Sequence, residues 1–302
     1  MPRTPRAPRL GPARIASVLV AATAASVLLA GCGTSSSSSD AVTSTKLTGE
    51  LPAAVTQKGS ITVAGDASYP PIGYYEADGT TLTGVDYALA DALGKELGIQ
   101  VKEVNASFDS IIPGLAGGKY DVGMSWINDT DERRKVVDFV DYSKDGASIF
   151  GLTSTKDKPT TTAELCGHSV AVQKGTSEQT DAQTAAKQCT AQGKGSVSVQ
   201  VFPDQSAANL AVKSGRADVS IADTPVAAWQ VRKSKGAFEL AGEPYGAVYH
   251  GIAVKKGSGL AKPLAKAFQK IMDDGTYARI LKKWGMSEAA IDAPLVNGQP
   301  LS

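Results

Sequence analysis

Two series of alternating strand and helix segments dominate the sequence, and the second series repeats a short motif of the first. Gly-Lys-Tyr-Asp-Val at 118–122 and Gly-Arg-Ala-Asp-Val at 215–219 each follow a helical segment and lead into a β-rich one. Alternation of this kind predicts an α/β fold, with helices packed on a sheet. Two similar units in one chain predict two lobes with a ligand cleft between them.

The spacing of apolar residues gives the bounds of these segments. The first series predicts strands over 61–65, 101–104 and 121–124 and helices over 84–98 and 110–118. The second predicts strands over 169–172, 197–202 and 218–221 and helices over 177–192 and 206–214. A C-terminal helix over 262–284 is expected to be interrupted at Asp274-Gly275, and Gly98 to end the helix that begins at Gly84.

The N-terminal residues are typical of a secretory signal. Four arginines and no acidic residue occupy 1–14, and the stretch from Ile15 to Ala30 is small and apolar. This stretch is shorter than the ~20 residues of a membrane span. It ends at Leu29-Ala30-Gly31-Cys32, which resembles the lipobox at which bacterial lipoproteins are cleaved and lipidated; the alternative is an uncleaved anchor helix.

The expected N-terminal organisation follows from these features. We expect a lipoprotein signal peptide over 1–31, lipidation of Cys32, and a disordered, Ser-rich tether over 32–57. The lipid would anchor the protein to the outer face of the bacterial cell membrane, with the folded part extracytoplasmic.

Composition and the missing motifs argue against several functional classes. The formal charge of +1 gives no reason to expect a nucleic acid partner. The chain has two histidines, His168 and His250, and neither has a nucleophile or metal ligand at a recognisable spacing. We therefore expect no metal, no cofactor and no catalytic residue, and we interpret both histidines as structural or surface residues.

A set of motifs in a fixed order extends from Lys58 to Met286. They are Gly65-Asp-Ala-Ser-Tyr-Pro-Pro71, Gly84-Val-Asp-Tyr-Ala-Leu-Ala90, Phe108-Asp-Ser-Ile-Ile-Pro-Gly-Leu115, Asp121-Val-Gly-Met-Ser125, Thr130-Asp-Glu-Arg133, Gly175-Thr176, Gly215-Arg-Ala-Asp218 and Ala222-Asp-Thr-Pro225. Together they resemble the solute-binding proteins of polar amino acid ABC transporters, solute-binding protein family 3. Ile72 and Ala88 depart from the family pattern.

The resemblance implies a periplasmic-binding-protein-like fold, α/β in class. Lobe 1 would comprise 58–144 plus 246–302, and lobe 2 would comprise 145–245, with hinge crossovers near 144–146 and 244–248. It implies that a free amino acid binds as the lobes close and that the partner is an ABC transporter permease. We expect the protein to be a monomer.

Three residues are assigned to the α-carboxylate and the α-ammonium group, which all amino acids share. A carboxylate is held best by a planar guanidinium, and the resemblance implies that Arg133, at the start of a helix capped by Thr130, binds the ligand's α-carboxylate. Asp223 ends a predicted strand, where α/β proteins bind ligands, and its family counterpart holds the α-ammonium group. Thr176 is expected to contact the carboxylate from the opposite lobe.

The ligand's side chain is assigned by the resemblance to Asp66, Tyr69 and Phe108. A carboxylate at Asp66 favours a polar or basic amino acid and argues against glutamate or aspartate. The resemblance also brings Ser125, Trp126 and Asn128 into the site. Trp126 stands where the family usually has a small or hydroxyl residue; either its indole narrows the pocket, or only its backbone contributes while the indole points elsewhere.

The three cysteines of the chain divide into one and two. Cys32 is the expected lipid site, and Cys166 and Cys189 flank the first strand–helix unit of the second series. In an oxidising compartment a disulfide between them is the expected outcome.

Two other classes of function stay open from the sequence. One is an enzyme on the same fold, resembling periplasmic cyclohexadienyl dehydratases; the other is a sensor input domain. We expect a binding protein and not an enzyme.

Overall fold

A mixed ten-stranded sheet is the framework of residues 47–301, which are the residues described by this computed structural model. Its strands are β1 Ser60–Gly65, β5 Gln100–Asn105, β6 Val122–Asn128, β7 Val137–Leu152, β8 Ser169–Gln173, β9 Ser198–Phe202, β10 Val219–Asp223, β11 Phe238–Lys255, β12 Ala290–Val296 and β13 Gln299–Pro300. A separate, three-stranded sheet consists of β2 Ser68–Tyr69, β3 Gly73–Tyr75 and β4 Leu82–Thr83.

Helices cover this sheet. They are α1 Ala53–Lys58, α2 Val85–Leu97, α3 Phe108–Ala116, α4 Asp131–Arg134, α5 Ser177–Ala191, α6 Gln205–Lys213, α7 Thr224–Lys233, α8 Ala261–Asp273 and α9 Thr276–Trp284. The predicted α/β class is therefore confirmed. None of these helices within residues 47–301 is both long enough and apolar enough to cross a membrane.

The order of strands divides the sheet into two halves joined by two long strands. The order is β5-β1-β6-β11-β7-β10-β8-β9. We call β5, β1 and β6 with their helices the first half, and β10, β8 and β9 with theirs the second half. Strands β1, β5 and β6 are parallel, as are β8, β9 and β10, whereas β7 and β11 are antiparallel to each other and run through both halves.

The two long strands are irregular at the predicted crossovers. Asp145 of β7 lies opposite Val248 of β11, and Ala147 opposite Tyr245, with register shifts on both sides of Tyr245. Such irregularities weaken a ladder locally. The lobe boundaries given in the sequence analysis stay a prediction, and the crossovers assigned there coincide with these shifts.

Short-range signals fixed the ends of helices well. Gly98 ends α2 in the left-handed conformation with a φ of 67°, and Gly275, with a φ of 75°, separates α8 from α9. Glycine adopts this conformation without the steric cost that a Cβ brings. Both predicted stops are confirmed.

The segment after residue 46 differs from the disordered tether predicted over 32–57. Residues 47–50 form a 3-10 turn, and α1 follows, with Leu51 and Val55 buried in the core. Burial of these apolar side chains orders the segment. The signal peptide, Cys32 and the tether as far as residue 46 lie outside the described residues.

The disulfide between Cys166 and Cys189 is present. It joins the turn before β8 to the end of α5, beside a cluster of buried residues in the second half. The predicted pairing of these two cysteines is therefore confirmed.

Candidate functional site

The nine residues assigned to ligand binding lie at the boundary between the two halves. All but Phe108 and Arg133, which are half-buried, are buried. Direct contacts connect the set across the boundary, which agrees with a cleft between similar α/β units. Polar side chains buried together in this way have to be hydrogen-bonded, and their partners define the site.

Arg133 reaches from the first half to the second. The hydroxyl of Thr130 accepts the backbone N–H of Arg133 at 3.3 Å, which confirms the predicted N-cap. Its guanidinium donates to the carbonyl oxygen of Asn128 at 2.9 Å and, across the boundary, to that of Gly175 at 3.1 Å. The guanidinium carbon lies 5.4 Å from the centre of the Phe108 ring, a cation–π distance.

Asp66 is a buried carboxylate that both halves share. Within the first half its oxygens accept the N–H groups of Ser68 at 2.7 Å and Phe108 at 3.1 Å. From the second half the amide nitrogen of Gln173 donates to Oδ2 at 2.8 Å. The hydroxyl of Ser125 accepts the backbone N–H of Asp66 at 3.1 Å, so Ser125 positions the segment that carries this carboxylate.

Asp223 ends β10 and directs its carboxylate to the same boundary. The hydroxyl of Tyr69 donates to Oδ2 at 2.7 Å, and the backbone N–H of Asp223 donates back to that hydroxyl at 3.1 Å. The side chain of Asp223 does not cap α7, which starts at the next residue. Since capping is the usual local role for such an aspartate, its orientation toward the other half is a feature of the site.

Thr176 caps α5 instead of presenting a free hydroxyl. Its oxygen accepts the N–H of Gln179 at 3.1 Å and donates to the carbonyl of Gln173 at 2.8 Å. The neighbouring Gly175 has a φ of 81°, and a Cβ there would lie 2.8 Å from the Cβ of Asp109 in the first half. The turn at Gly175 and Thr176 therefore touches the first half closely.

The indole of Trp126 is buried in the core, and the side chains that it contacts, Tyr142, Asp145 and His250, are outside the predicted set. It is fully buried, lies edge-on to Tyr142, and donates its N–H to Asp145 at 2.8 Å. Its backbone φ is 50°, in the left-handed region that bulky residues seldom adopt. Asp86 accepts the backbone N–H at 2.9 Å. Of the two alternatives for this residue, the structure agrees with an indole directed elsewhere.

His250 contacts two of the predicted site residues, although the sequence analysis interpreted it only as a structural or surface residue. It is fully buried on β11, stacks on Trp126 at 5.2 Å, and places Nε2 3.3 Å from Oδ1 of Asp223. Its Nδ1 lies 4.0 Å from Oδ2 of Asp145. No sequence motif marks this histidine, because its partners lie 27 and 105 residues away in the chain.

Glu178 is a second residue that sequence reasoning missed. It lies in the first turn of α5 and is buried. Burial, followed by the charge of Asp223, raises its pKa well above the usual range, while Arg133 opposes the shift. An acidic residue in the first turn of a helix is common, so nothing in the sequence distinguishes this one. Glu178 therefore adds a buried acidic group beside Arg133 and Asp223, and its raised pKa favours the protonated, neutral form.

One group of residues within 47–301 has ligand atoms close enough for a metal ion. Oxygen or nitrogen atoms of Asp145, Asp223 and His250 lie within 4.8 Å of one another. The imidazole lies between the carboxylates, with a different nitrogen toward each. Nε2 is hydrogen-bonded to Asp223, whereas the 4.0 Å between Nδ1 and Asp145 is an electrostatic contact, so we interpret the group as a cluster of ionisable side chains.

Two cavities adjoin the site. One of about 260 Å³ is bounded by Asp66, Ser68 and Asn105 of the first half and by Pro203 and Asp204 of the second. A larger cavity of about 570 Å³ lies at the crossovers, next to Lys144, Thr224 and Glu288. None of the nine assigned residues lines this larger cavity, whereas Asp66 lines the smaller one. The smaller cavity is therefore the better candidate for the ligand site.

Comparison with known proteins gives one family. The bacterial extracellular solute-binding proteins, family 3, match residues 61–287. The arginine-binding protein ArgT of Corynebacterium glutamicum is 33% identical over 253 residues, which is 83% of each chain. The ABC transporter glutamine-binding protein GlnH of Bacillus subtilis is 30% identical over 278 residues, 90% of this chain and 97% of that protein.

A solved structure gives the same result for the fold. An ancestral arginine-binding protein bound to arginine superimposes with a TM-score of 0.70 and 34% identity, covering 75% of this chain and 98% of that one. The fold expected from the sequence, a periplasmic-binding-protein-like α/β fold, is therefore confirmed.

Proposed function

The chain belongs to the bacterial extracellular solute-binding proteins of family 3, and we propose that it delivers a basic amino acid, arginine above all, to an ABC transporter permease. The relatives of this chain named above bind amino acids, so binding of an amino acid is the property that they share. The charge of the site supports the choice among amino acids.

The observation that carries the proposal is the arrangement of buried charge. Arg133 on the first half and Asp223 on the second supply one cation and one anion, which match an α-carboxylate and an α-ammonium group. Asp66 is a further buried carboxylate at the same boundary, whereas the raised pKa of the buried Glu178 favours its neutral form. A basic side chain compensates this negative charge, whereas a glutamate side chain adds to it.

Asp66 is the residue to which we assign the ligand's basic side chain. In this structure the amide N–H of Gln173 occupies Oδ2 of Asp66, at 2.8 Å. A guanidinium offers the same kind of planar N–H donor with a positive charge, so it binds a carboxylate more strongly than an amide does. The cavity of about 260 Å³ adjoins this carboxylate.

The binding step requires the two halves to separate and close again. Groups assigned to the ligand are hydrogen-bonded across the boundary here: Asp223 to Tyr69, Asp66 to Gln173, and Arg133 to Gly175. A ligand reaches them only when these contacts open. The register shifts of β7 and β11 beside Tyr245 are where this hinge motion is expected.

The decisive experiment is a thermal-shift screen of the amino acids, followed by calorimetry. A ligand that binds the native state raises the melting temperature, and the largest increase is expected with arginine, followed by lysine. Asp66→Asn should raise the dissociation constant for arginine at least tenfold, since a hydrogen bond to a charged group contributes about 1.5–3 kcal/mol. The dissociation constant for glutamine should change by no more than about threefold. Asp157→Asn, on the exposed surface, is the matched control.

We further propose that the protein binds without catalysis and is anchored by lipid at Cys32. Arginine recovered after denaturation should be unchanged; conversion of ligand by substoichiometric protein would instead indicate an enzyme. Cys32→Ser should move the protein from the membrane fraction to the medium, with arginine affinity unchanged. Retention of the variant in the membrane would contradict the anchor.

A further inference from the structure

His250 is buried where the first half, the second half and a crossover meet. It lies on β11, opposite Asn128 of β6 and Ser143 of β7, and none of its side chain is exposed. Its imidazole contacts two of the predicted ligand residues, Asp223 and Trp126. A fully buried imidazole at this position affects a ligand through Asp223.

The geometry around the ring places one carboxylate on the side of each ring nitrogen. Nε2 lies 3.3 Å from Asp223, and Nδ1 lies on the other edge of the ring, 4.0 Å from Asp145. A neutral imidazole has one N–H, which suffices for the hydrogen bond to Asp223, whereas an imidazolium has two and carries the positive charge that both carboxylates attract. At 4.0 Å the attraction between Nδ1 and Asp145 is electrostatic and not a hydrogen bond. Trp126 stacks on the ring and donates its indole N–H to the same oxygen of Asp145. Both the stacking and the hydrogen bond hold this arrangement in place.

The charged and titratable groups around His250 and its partner Asp223 come from five elements. Asp145 belongs to β7, Asp86 to α2 and Asp223 to the end of β10, while Tyr69 and Glu178 act on Asp223 from β2 and α5. Burial works against the charged imidazole, but the hydrogen bond to Asp223 and the negative charges of the three aspartates outweigh it. The pKa of His250 is therefore raised above its ordinary value.

We propose that His250 is a proton-binding positioning residue for Asp223, and that an amino acid's α-ammonium group expels the His250 proton when it binds. This inference rests on the proposed function, in which Asp223 holds the ammonium group. Two cations beside one buried carboxylate repel each other strongly in a medium of low dielectric constant. The ammonium keeps its three protons, and the imidazolium transfers one proton to buffer and becomes neutral.

The inference fixes the sign of the pH dependence. Expulsion of a proton makes affinity rise with pH until His250 of the free protein is already neutral. Below that point affinity falls by up to about tenfold per pH unit. A residue that only filled space would leave the profile unchanged on replacement by a neutral side chain of similar size.

Calorimetry with L-arginine in two buffers of different ionisation enthalpy measures the protons released. Near neutral pH, the number of protons released per bound arginine should be larger for wild type than for His250→Gln by on the order of half a proton. The glutamine side chain of the variant has no proton to release. His168→Gln, at the partly exposed other histidine, should release the wild-type amount. A guanidinium carboxylic acid of equal length without the α-ammonium should release little.

Two outcomes overturn different claims. Equal proton release by wild type and His250→Gln, with arginine bound by both, overturns the role of His250 and leaves the proposed function intact. Failure of every amino acid to bind overturns both. Should His250→Gln not fold, NMR titration of the wild-type imidazole replaces it: the His250 signals should change from protonated to neutral on adding arginine, and an unchanged protonation state overturns the inference.

Discussion

The hydroxyl of Tyr69 and the carboxylate of Asp223 lie 2.7 Å apart although the residues are 154 positions apart in the chain. Tyr69 belongs to the first half and Asp223 to the second, so this contact links the halves directly. Burial, followed by the charge of Asp223, raises the pKa of Tyr69 well above its usual value. The phenol therefore stays protonated and acts as a donor over the physiological range.

Tyr69→Phe is expected to weaken arginine binding by about tenfold, because a hydrogen bond to a charged acceptor contributes about 1.5–3 kcal/mol. The ring and its packing are retained in the variant. Calorimetry measures the dissociation constant of this variant and of a control, Tyr75→Phe, which removes an exposed hydroxyl on β3. The difference between the two variants gives the contribution of the Tyr69 hydroxyl. An unchanged dissociation constant for Tyr69→Phe would show that this contact is not maintained with ligand bound.

Arg133→Ala should cost arginine binding about 2–5 kcal/mol, since the α-carboxylate of the ligand would be buried without its partner. Arg133→Lys keeps the charge but loses the fork geometry, so an intermediate loss is expected. Calorimetry measures both, and Arg216→Lys in the second half is the control. Wild-type affinity in Arg133→Ala would remove this residue from the site.

Gly175→Ala tests whether the halves must meet for binding. The new Cβ would lie 2.8 Å from the Cβ of Asp109, so the contact between the halves has to widen. We expect weaker arginine binding and a larger radius of gyration with arginine bound, measured by small-angle scattering. Gly193→Ala is matched, because its φ of 67° brings similar backbone strain with no atom within 4 Å. Identical effects of the two variants would exclude closure as the cause.

Removal of the Cys166–Cys189 disulfide should lower the free energy of unfolding by about 3 kcal/mol. The bond closes a separation of 23 residues, and its loss restores conformational freedom to the unfolded chain. Chemical denaturation of a variant with Cys166→Ser and Cys189→Ala measures the change. Arginine affinity should stay at the wild-type value, because the bond belongs to the packing of the second half; a large loss of affinity would contradict that separation.

Stability of the ligand-free protein should decrease as pH rises from about 4 to 7. Burial raises the pKa of Asp86 to about 7, although the hydrogen bonds that Tyr142 and Trp126 donate to its carboxylate lower it. A carboxyl whose pKa is higher in the folded state contributes stability at low pH and loses it as pH rises through that pKa. For one such group the slope is up to about 1.4 kcal/mol per pH unit.

Thermal unfolding at pH 5 and pH 8 measures this dependence. Asp86→Asn should reduce the difference between the two pH values, and Asp157→Asn should leave it unchanged. A melting temperature that rises from pH 5 to pH 8 in the wild type would contradict the assignment. Binding of arginine is expected to have the opposite pH dependence, since affinity rises with pH.

Local sequence signals predicted most of the fold. The spacing of Leu89, Leu93 and Leu97 gave one face of α2, and Gly98 its end. Thr130 as the cap of α4 and the interruption at Gly275 were also correct. These features depend on interactions within one helical turn, which residues close in sequence determine.

The family motifs also selected residues that lie together at one boundary in the structure, and their role in binding stays a prediction. The motifs did not give their partners: Gln173 on Asp66, and Tyr69 on Asp223, join residues more than a hundred positions apart. The last residues of the predicted tether were ordered for the same reason, because Leu51 and Val55 are buried against distant parts of the core.

The sequence by itself determined the alternation of strands and helices, the family motifs and the cysteine pair, and it predicted which residues hold an amino acid. Only the tertiary structure decided that His250 lies between Asp145 and Asp223, and that the Trp126 indole supports it. The physical reason is range. Helix caps and apolar periods act over a few residues, whereas the charge state of a buried imidazole depends on carboxylates that separate strands bring within 4 Å.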